Sequence, residues 1–521
     1  MSRSGRAAKG FLTSLLQYSS NIAVQALLAP VVLRVAGREA LGAYAAVMQA
    51  VGFLGLVDIA GSWSLERFLA QSIGLDDGGA RFRLIFTTAK TLLLITNVVF
   101  AMLVIVFSIF IAPLFHLSPG IAHQAQHALY VIAVWAVVRT PLAAYSTASI
   151  ATQDLAAVNL IGALLGAVRG TASLLFVLAG GGLFGLMLSG TLVEACGTVL
   201  FRMRFKKVNP GLMPGWGIPD KPLLREMTSF GAHAMFLNIG NMLVFTSGNA
   251  IAGMTNGAAV ASTFYTSQMP TMTAYMMILR LSDSATPAVH ELYGRREMER
   301  VKVSFQRLSR FLLLLAMPLA TGVFLFNRDL VVSWVGPAQY GGKLLTVTLA
   351  AFCVLIALQR VAMVFSFVFG WMRLLTTTGF AQGVANLGLA WFLGKRIGLG
   401  GITLALVLVV LPQTVILWYR LGQFFKMNVL AFLSGVAARL LVPLISASAT
   451  SLLVHSAVTI RPRHLGGFLA EAFTFLFTYA LIVYPFLVKH DRNDVNRYLK
   501  AFASGRWGLR QRLVGVVGES S

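Results

Sequence analysis

The chain has 521 residues, of which 57% are hydrophobic and 12% are charged, and its mean hydropathy is +0.77. This composition excludes an ordinary soluble globular protein. A net charge of +24 would suggest nucleic acid in a soluble protein, but here the cations lie between apolar runs of about 20 residues, the length of a membrane-crossing helix. The alternating pattern of barrel strands is absent, so we predict an all-α polytopic membrane protein. We expect it to bind no nucleic acid, because its cations lie in the loops between membrane spans.

About fourteen apolar segments are long enough to cross the roughly 30 Å of hydrocarbon in a bilayer. In chain order they lie near residues 11–33, 41–62, 84–113, 127–149, 158–180, 182–201, 229–254, 256–282, 308–326, 344–370, 373–393, 401–419, 429–454 and 466–488. With the N-terminus inside, the inner loops and tails carry about 28 Lys and Arg and the outer loops about 8, as the positive-inside rule requires. We therefore predict a multi-pass protein with both termini in the cytoplasm.

A basic linker after the sixth span divides the first twelve helices into two sets of six with recurring features. An even number of spans returns the chain to the same side, so the two halves have like orientation, as in transporters built from parallel repeats. We predict an N-terminal half at 1–201, a cytoplasmic linker at 202–228, a C-terminal half at 229–420, two additional helices at 421–488 and a basic cytoplasmic tail at 489–521.

Amide side chains mark the first helix of each half. Gln17, Asn21 and Gln25 are spaced by four residues and share one helical face, while Asn238 and Asn241 lie in the seventh span. Such a stripe argues against a surface that faces lipid. Amides of this kind hydrogen-bond sugars, line water or join helices, and the sequence leaves these roles open. We include Asn21, Gln25, Asn238 and Asn241 among the predicted residues of a substrate lumen.

Three arginines lie deep within apolar spans, with few acids at comparable depth: Arg139, Arg169 and Arg360. An Arg at the centre of a membrane helix costs about 2.5–3.5 kcal/mol on insertion scales, so it is retained where it faces protein interior or water. Arg139 in WAVVRTPLAAYS and Arg360 in LIALQRVAMVFS occupy equivalent positions in the two halves. We predict that they converge on a central cleft and bind an anionic group through their planar guanidinium forks.

Arg169 lies in the fifth span, on a face that it shares with Gly162, Gly166 and Ser173. A face of small residues usually packs closely against a neighbouring helix. Alternatively, the missing side-chain volume leaves space for a ligand beside the guanidinium. We group Arg169 with the lumen residues, although the sequence leaves open whether it faces the lumen.

Two acids occupy equivalent inner ends of spans two and eight, Asp58 and Asp283. Each can pair with a nearby Arg, either as a gating contact or as a structural salt bridge. Asp58 can instead bind a coupling proton or sodium ion. Arg280, one turn before Asp283, is grouped with these gating candidates, although its place near the cytoplasmic end also lets it reach the interface.

Missing motifs exclude several classes of function. No G-x-x-x-x-G-K-[ST] loop is present, so we expect no P-loop ATP binding, and no H-E-x-x-H zinc motif occurs. The two cysteines, Cys196 and Cys353, lie far apart in apolar spans and indicate neither a disulfide framework nor a metal site. We therefore expect a protein that is not an enzyme, with no catalytic residues, no cofactor and no metal.

The string LRVAGREALGAYAAVMQAVGFLGLVDIAGSWSLERFLAQ resembles the signature of polysaccharide flippases in the multidrug/oligosaccharidyl-lipid/polysaccharide (MOP) superfamily, which share the MATE-like fold. The carried features are Leu41-Gly42, an aromatic at Tyr44, and Leu56-Val57-Asp58 before Gly61. The outer-loop string FNRDLVVSWVGPAQYGG also resembles the family's segment after its ninth helix. The usual Tyr-Gly is here Tyr44-Ala45, which leaves the subfamily open.

The resemblance implies a flippase that moves an undecaprenyl-pyrophosphate-linked oligosaccharide, the repeat unit of O-antigen, exopolysaccharide or capsule, across the bacterial inner membrane by alternating access. It also implies a cationic lumen, contact with membrane lipids, and a polymerase and chain-length machinery as candidate partners. Three rivals are a MATE-type cation-coupled drug antiporter, a lipid II flippase, and a membrane polymerase or ligase acting on the same glycans. The excess of arginine over acid disfavours the antiporter, and the short outer loops disfavour the polymerase.

Overall fold

The computed structural model describes residues 22–73, 77–214, 217–457, 465–488, 492–493 and 496. This part of the chain is almost entirely α-helical and contains no β-strand. Ten of its helices are long and apolar enough to cross a membrane. The prediction of an all-α polytopic membrane protein is therefore confirmed.

The helices fall before and after Gly257. Those before it are α1 (Ile22–Val35), α2 (Gly37–Leu54), α3 (Leu56–Ser72), α4 (Ala80–Phe115), α5 (Pro119–Val138), α6 (Thr140–Ala151), α7 (Leu155–Leu178), α8 (Gly182–Val208), α9 (Lys221–Phe245) and α10 (Gly248–Asn256). Those after it are α11 (Ala258–Gly294), α12 (Met298–Val335), α13 (Lys343–Val368), α14 (Met372–Ile397), α15 (Leu399–Phe424), α16 (Val429–Ala457) and α17 (Leu465–Phe486).

Each of the fourteen predicted spans overlaps at least one of these helices, the first of them only over its described part, and three spans are divided in two. Span two divides at Gly55, span four at Arg139, and span seven between Phe245 and Gly248. Helices α9, α11 and α14 have 25, 37 and 26 residues but are not among the ten apolar ones. Length therefore suits these three helices to crossing a membrane, while polar side chains lower their hydropathy.

The chain divides into two compact units, Met1–Tyr265 and Thr266–Ser521. In the first unit an aromatic core lies among α3, α4, α6, α8 and α9. Phe82 stacks on Phe205 with ring centroids 6.2 Å apart, and Phe86 packs on Tyr145 at 5.2 Å. Close packing drives the association of helices in a membrane, so this core holds these five helices together and positions the side chains that they carry.

The seventh span packs with the first unit. Helix α9 lies along α3, and α10 lies along α2, where Ala250 N–H donates to Gln49 Oε1 at 2.8 Å. Helix α2 also approaches the start of α11 so closely that a Cβ on Gly42 would lie 1.6 Å from the Ala258 carbonyl oxygen. Gly42, part of the resemblance motif, is therefore required by a helix contact. The predicted halves at 1–201 and 229–420, drawn from sequence order, stay a prediction.

The second unit has two cores. Phe305 of α12 packs on Phe365 of α13 and on Trp418 of α15, each at a centroid distance of 5.1 Å. A separate apolar cluster joins α16 and α17 to α12, and the Tyr479 hydroxyl of α17 donates to the Leu314 carbonyl at 2.9 Å. The two additional helices are thus attached by a core of their own.

Candidate functional site

Arg139 lies at the junction between α5 and α6 in the first unit. Pro141, at the start of α6, has no N–H to donate to the preceding turn, so the helical ladder is interrupted at this point. The Arg139 carbonyl accepts hydrogen bonds from the amides of Leu142 and Ala143 at 2.8 and 2.9 Å, which begin the next helix. The sequence therefore places a guanidinium at a break in the helix.

The guanidinium of Arg139 contacts side chains from three other helices. Its Nη2 donates to Asp58 Oδ2 of α3 at 3.1 Å and to Asn97 Oδ1 of α4 at 3.4 Å, and its Nη1 donates to Glu194 of α8. The buried Asn97 is oriented by donating its Nδ2 to the Leu93 carbonyl at 2.8 Å. Asp58 lies in the first turn of α3, where the helix dipole favours a negative charge. Both carboxylates therefore share one arginine as their ion-pair partner.

A cavity of about 430 Å³ opens beside this ion cluster, between α2, α4, α5, α7 and α8. Its volume lies within the roughly 300–1,000 Å³ of small-molecule sites. Arg139, Arg169 and Glu194 line it, together with Gly162 and Gly166. The small residues on this side of α7 therefore leave space beside the Arg169 guanidinium. Closer to the C-terminal end of α7, the hydroxyls of Ser173 and of Ser189 in α8 form a hydrogen bond of 2.6 Å. The face of α7 therefore packs directly against α8 at this point.

Arg169 has no ion-pair or hydrogen-bond partner within the described part of the chain, and it is exposed. Its guanidinium lies against Gly190 of α8, where a Cβ would approach Arg169 Nη2 to 2.9 Å. Trp135 also lines the cavity, and its indole Nε1 is buried without an acceptor. A buried donor without a partner is expensive to leave unsatisfied. The cavity is thus lined by one guanidinium that has no partner among the described residues.

The second unit contains a simpler arginine site. Arg360 Nη2 donates to Asp283 of α11, and its Nε lies 3.5 Å from the hydroxyl of the buried Ser282. Arg360 lies inside the unbroken helix α13, and the Asp283 side chain is 50% exposed. Arg280, on the same helix as Asp283, is exposed. Both arginines predicted to be equivalent are therefore paired with the acids predicted to be equivalent.

A cluster of neutral amides lies beside Arg360. Gln359 Nε2 donates to Gln413 Oε1 of α15 at 2.6 Å and lies 3.4 Å from Gln382 Oε1 of α14, while Gln413 Nε2 donates to the Thr378 hydroxyl at 2.8 Å. The three glutamines are buried, and both Gln359 Oε1 and Gln382 Nε2 lack a partner. This cluster joins α13, α14 and α15 through hydrogen bonds, without charge.

The predicted amide stripe is only partly described. Gln25 is exposed on α1, while Asn21 and the side chains of Asn238 and Asn241 lie outside the described residues. No group of three His, Cys, Asp or Glu residues that could hold a metal ion occurs in the part of the chain that the structure describes.

Four contributors were missed by the prediction: Glu194, Asn97, Trp135 and the glutamine cluster. Glu194 and Asn97 are polar residues in strongly apolar helices, a signal that the sequence did contain. Gln359 directly precedes Arg360. A stricter rule, in which every polar residue in an apolar span requires a partner, would have flagged all but the indole.

The comparisons with known proteins agree with this architecture. A family described as polysaccharide biosynthesis protein matches residues 31–340, more than half of the chain. No curated protein matches this chain. Among solved structures, it is similar to the lipid II flippase MurJ in an inward closed conformation, with a TM-score of 0.65, 12% identity and coverage of 92% of this chain and 98% of that one.

It is also similar to a multidrug resistance MATE family transporter of the MOP superfamily in an inward-facing conformation. The TM-score is 0.64 at 14% identity, with 81% of this chain and 99% of that one covered. The outward-facing conformation of such a transporter aligns with a TM-score of 0.55 at 15% identity and coverage of 83% and 98%. The predicted MATE-like fold is therefore confirmed.

Proposed function

We propose, on the premise that the chain belongs to the polysaccharide biosynthesis protein family, that it is a flippase. Its cargo is an undecaprenyl-pyrophosphate-linked oligosaccharide, the repeat unit of O-antigen, exopolysaccharide or capsule. The cargo crosses the bacterial inner membrane by alternating access, with both termini of the protein in the cytoplasm. The protein is a transporter and catalyses no covalent step.

The observation that carries this proposal is the pair of arginine sites at corresponding places in the sequence. Arg139 pairs with Asp58 of the second span, and Arg360 pairs with Asp283 of the eighth. An arginine in an apolar helix is retained where it performs a function or is paired, and its planar fork suits the oxygens of a pyrophosphate. The two sites supply cationic groups for an anionic cargo, and Asp58 and Asp283 hold those groups while cargo is absent.

Two rival cargoes follow from the solved structures that the fold resembles. A multidrug transporter of cations would need carboxylates free of counterions, whereas Asp58 and Glu194 both contact Arg139. Lipid II, the cargo named for the MurJ flippase, is also an anionic lipid-linked sugar. The same arginines would serve it, so the cargo experiment compares both lipids. Either coupling ion, proton or sodium, is compatible with Asp58, and a polymerase and chain-length machinery are candidate partners.

The test is export of the surface glycan in a bacterial strain that lacks this chain. Arg139→Ala or Arg360→Ala should abolish surface glycan and leave the lipid-linked precursor inside, with protein abundance near normal. Arg439→Ala is the matched control, because Arg439 is an exposed arginine of α16 without an ion pair among the described residues. Unchanged surface glycan in the Arg139 and Arg360 variants would refute the proposal. Restored peptidoglycan synthesis, without glycan export, would assign the cargo to lipid II.

A further inference from the structure

We propose that the cavity of the first unit is a pyrophosphate site with a built-in competitor, in which the Glu194 carboxylate occupies Arg139 until a phosphate oxygen displaces it. Arg169 is the second cationic arm of this site. The identification of the anion as a pyrophosphate rests on the proposed function. The geometry of the site stands on Arg139 at the junction of α5 and α6, on its partner Asp58 of α3, and on residues of α7 and α8.

The two carboxylates that contact Arg139 differ in how far they are enclosed by protein. The Asp58 side chain is 21% exposed, whereas that of Glu194 is 45% exposed. A carboxylate that is less enclosed by protein gives up fewer contacts when it turns away, so its release costs less. Glu194 also has one more rotatable bond than Asp58. Glu194 is therefore the displaceable partner, and Asp58 is the one that keeps Arg139 in place.

A second guanidinium, that of Arg169, is present in the cavity. Arg169 lines the same space without a counterion among the described residues. Its guanidinium lies on Gly190, one turn before Glu194 on α8. One face of α8 thus carries both the competing carboxylate and the glycine that makes room for the free cation. An anion that displaces Glu194 from Arg139 meets Arg169 in the same cavity.

Among the residues that the structure describes, Glu194 is the one acidic side chain in the lining of the cavity. Most other members of the lining are uncharged, and Trp135 and Thr191 are among them. The lining therefore offers two guanidinium groups and one carboxylate that can turn away, a set that suits an acceptor-only ligand such as a phosphate group.

The charges of the cluster explain why a competitor is useful. Arg139 and Arg169 carry two positive charges, and Asp58 and Glu194 carry two negative charges, so the empty site is neutral by formal charge. When Glu194 turns away, two guanidinium groups line the cavity, and Asp58 stays paired with Arg139. The protein groups therefore gain a net positive charge only when Glu194 turns away, and in the empty protein Arg139 keeps a full set of counterions.

Binding of tritiated farnesyl pyrophosphate tests the site directly. The full-length protein is placed in phosphatidylcholine nanodiscs, and binding is measured by scintillation proximity. We expect Glu194→Gln to bind about tenfold more tightly than wild type, because the amide competes less well for Arg139. Arg169→Gln should bind at least tenfold more weakly. Unchanged or weaker binding by folded Glu194→Gln protein would refute the competitor role. Unchanged binding by Arg169→Gln would show that Arg169 does not bind the anion.

Two controls match the changes in charge. Glu226→Gln removes a carboxylate from an exposed position of α9, and Arg439→Gln removes an exposed arginine of α16. Neither should change binding by more than twofold, and a larger change would attribute the effect to overall charge and refute the site. If Glu194→Gln does not elute as a single species in size-exclusion chromatography, Glu194→Ala is measured, with the same expected direction.

Competition separates the possible sources of the phosphate group. Unlabelled inorganic pyrophosphate should displace the probe, and phosphatidylglycerol added to the nanodiscs should not. The reverse result would assign the cavity to a lipid headgroup and refute the cargo site. The proposed function has a different refutation. If cells with the Arg139→Ala variant export glycan normally while the binding results are as expected, the flippase proposal is wrong and the anion site is retained.

Discussion

The two arginine sites are built from equivalent residues on different backbones. Arg139 lies at the break between α5 and α6 and contacts two carboxylates and an amide. Arg360 lies inside α13 and contacts one carboxylate and a hydroxyl. The local cause is Pro141, two residues after Arg139, because the corresponding position after Arg360 is Ala362, which continues the helix.

The surroundings differ in charge as well as in backbone. The first unit places charged groups around a cavity, while the second unit places three buried glutamines behind its arginine. The comparison teaches that a repeated arginine does not imply a repeated site. The first site is suited to exchange of counterions, and the second is suited to holding three helices together beside one exposed ion pair.

The largest loss of stability is expected when the glutamine cluster loses Gln413. Gln413→Leu removes the acceptor of Gln359 Nε2 and the donor to Thr378. A buried polar group left without a partner costs about 1–3 kcal/mol, so the thermal midpoint of the purified protein should fall clearly. Gln423→Leu, at an exposed position of the same helix, is the control. A midpoint equal to wild type in Gln413→Leu would show that the second unit does not depend on the cluster.

The next effect separates the two arginines by shape. Arg139→Lys keeps the charge but loses the fork that reaches three partners, so we expect surface glycan to fall more than tenfold. Arg360→Lys needs to replace one ion pair, with Asp283, and a long contact with the Ser282 hydroxyl, and we expect a loss of about threefold. Immunoblotting of surface glycan, normalised to protein abundance, measures both. Equal losses would mean that both sites use their forks in the same way.

A smaller effect is expected on stability. Arg139→Leu leaves two carboxylates without their cation, and Arg360→Leu leaves one that is half-exposed. Because all three acids retain some contact with solvent, we expect destabilisation of about 1 kcal/mol for the first and less for the second. Thermal denaturation in detergent measures the order. A larger loss in Arg360→Leu would contradict the comparison.

The smallest effect concerns the break itself. Pro141→Ala restores an N–H that can continue the helix through Arg139. We expect slower hydrogen exchange in a peptide covering 137–145 and a reduction of surface glycan by a few fold. Pro318→Ala in α12, which is continuous through its proline, is the control. Unchanged exchange in Pro141→Ala would show that Arg139 is held by its ion pairs alone.

Much of the site follows from the cost of charge in an apolar span. Asp58 and Asp283 were expected to pair with nearby arginines, and they contact Arg139 and Arg360. A proline is a further signal of a break that the sequence contains, and α5 and α6 are separate beside Pro141. The role of the ion pairs stays a prediction. The sequence does not identify the partner of Glu194, which lies 55 residues from Arg139 in the chain.

The sequence alone determined the helical spans and the residues that need a partner, because the bilayer penalises polar groups one segment at a time. Tertiary structure decided which partner each residue meets. Asp58 and Arg139 are 81 residues apart, and their contact depends on how each helix is rotated and how closely it packs. It also decided that Arg169, Glu194 and Gly190 line one cavity, since empty space arises where several helices fail to fill a volume, and no single segment encodes that.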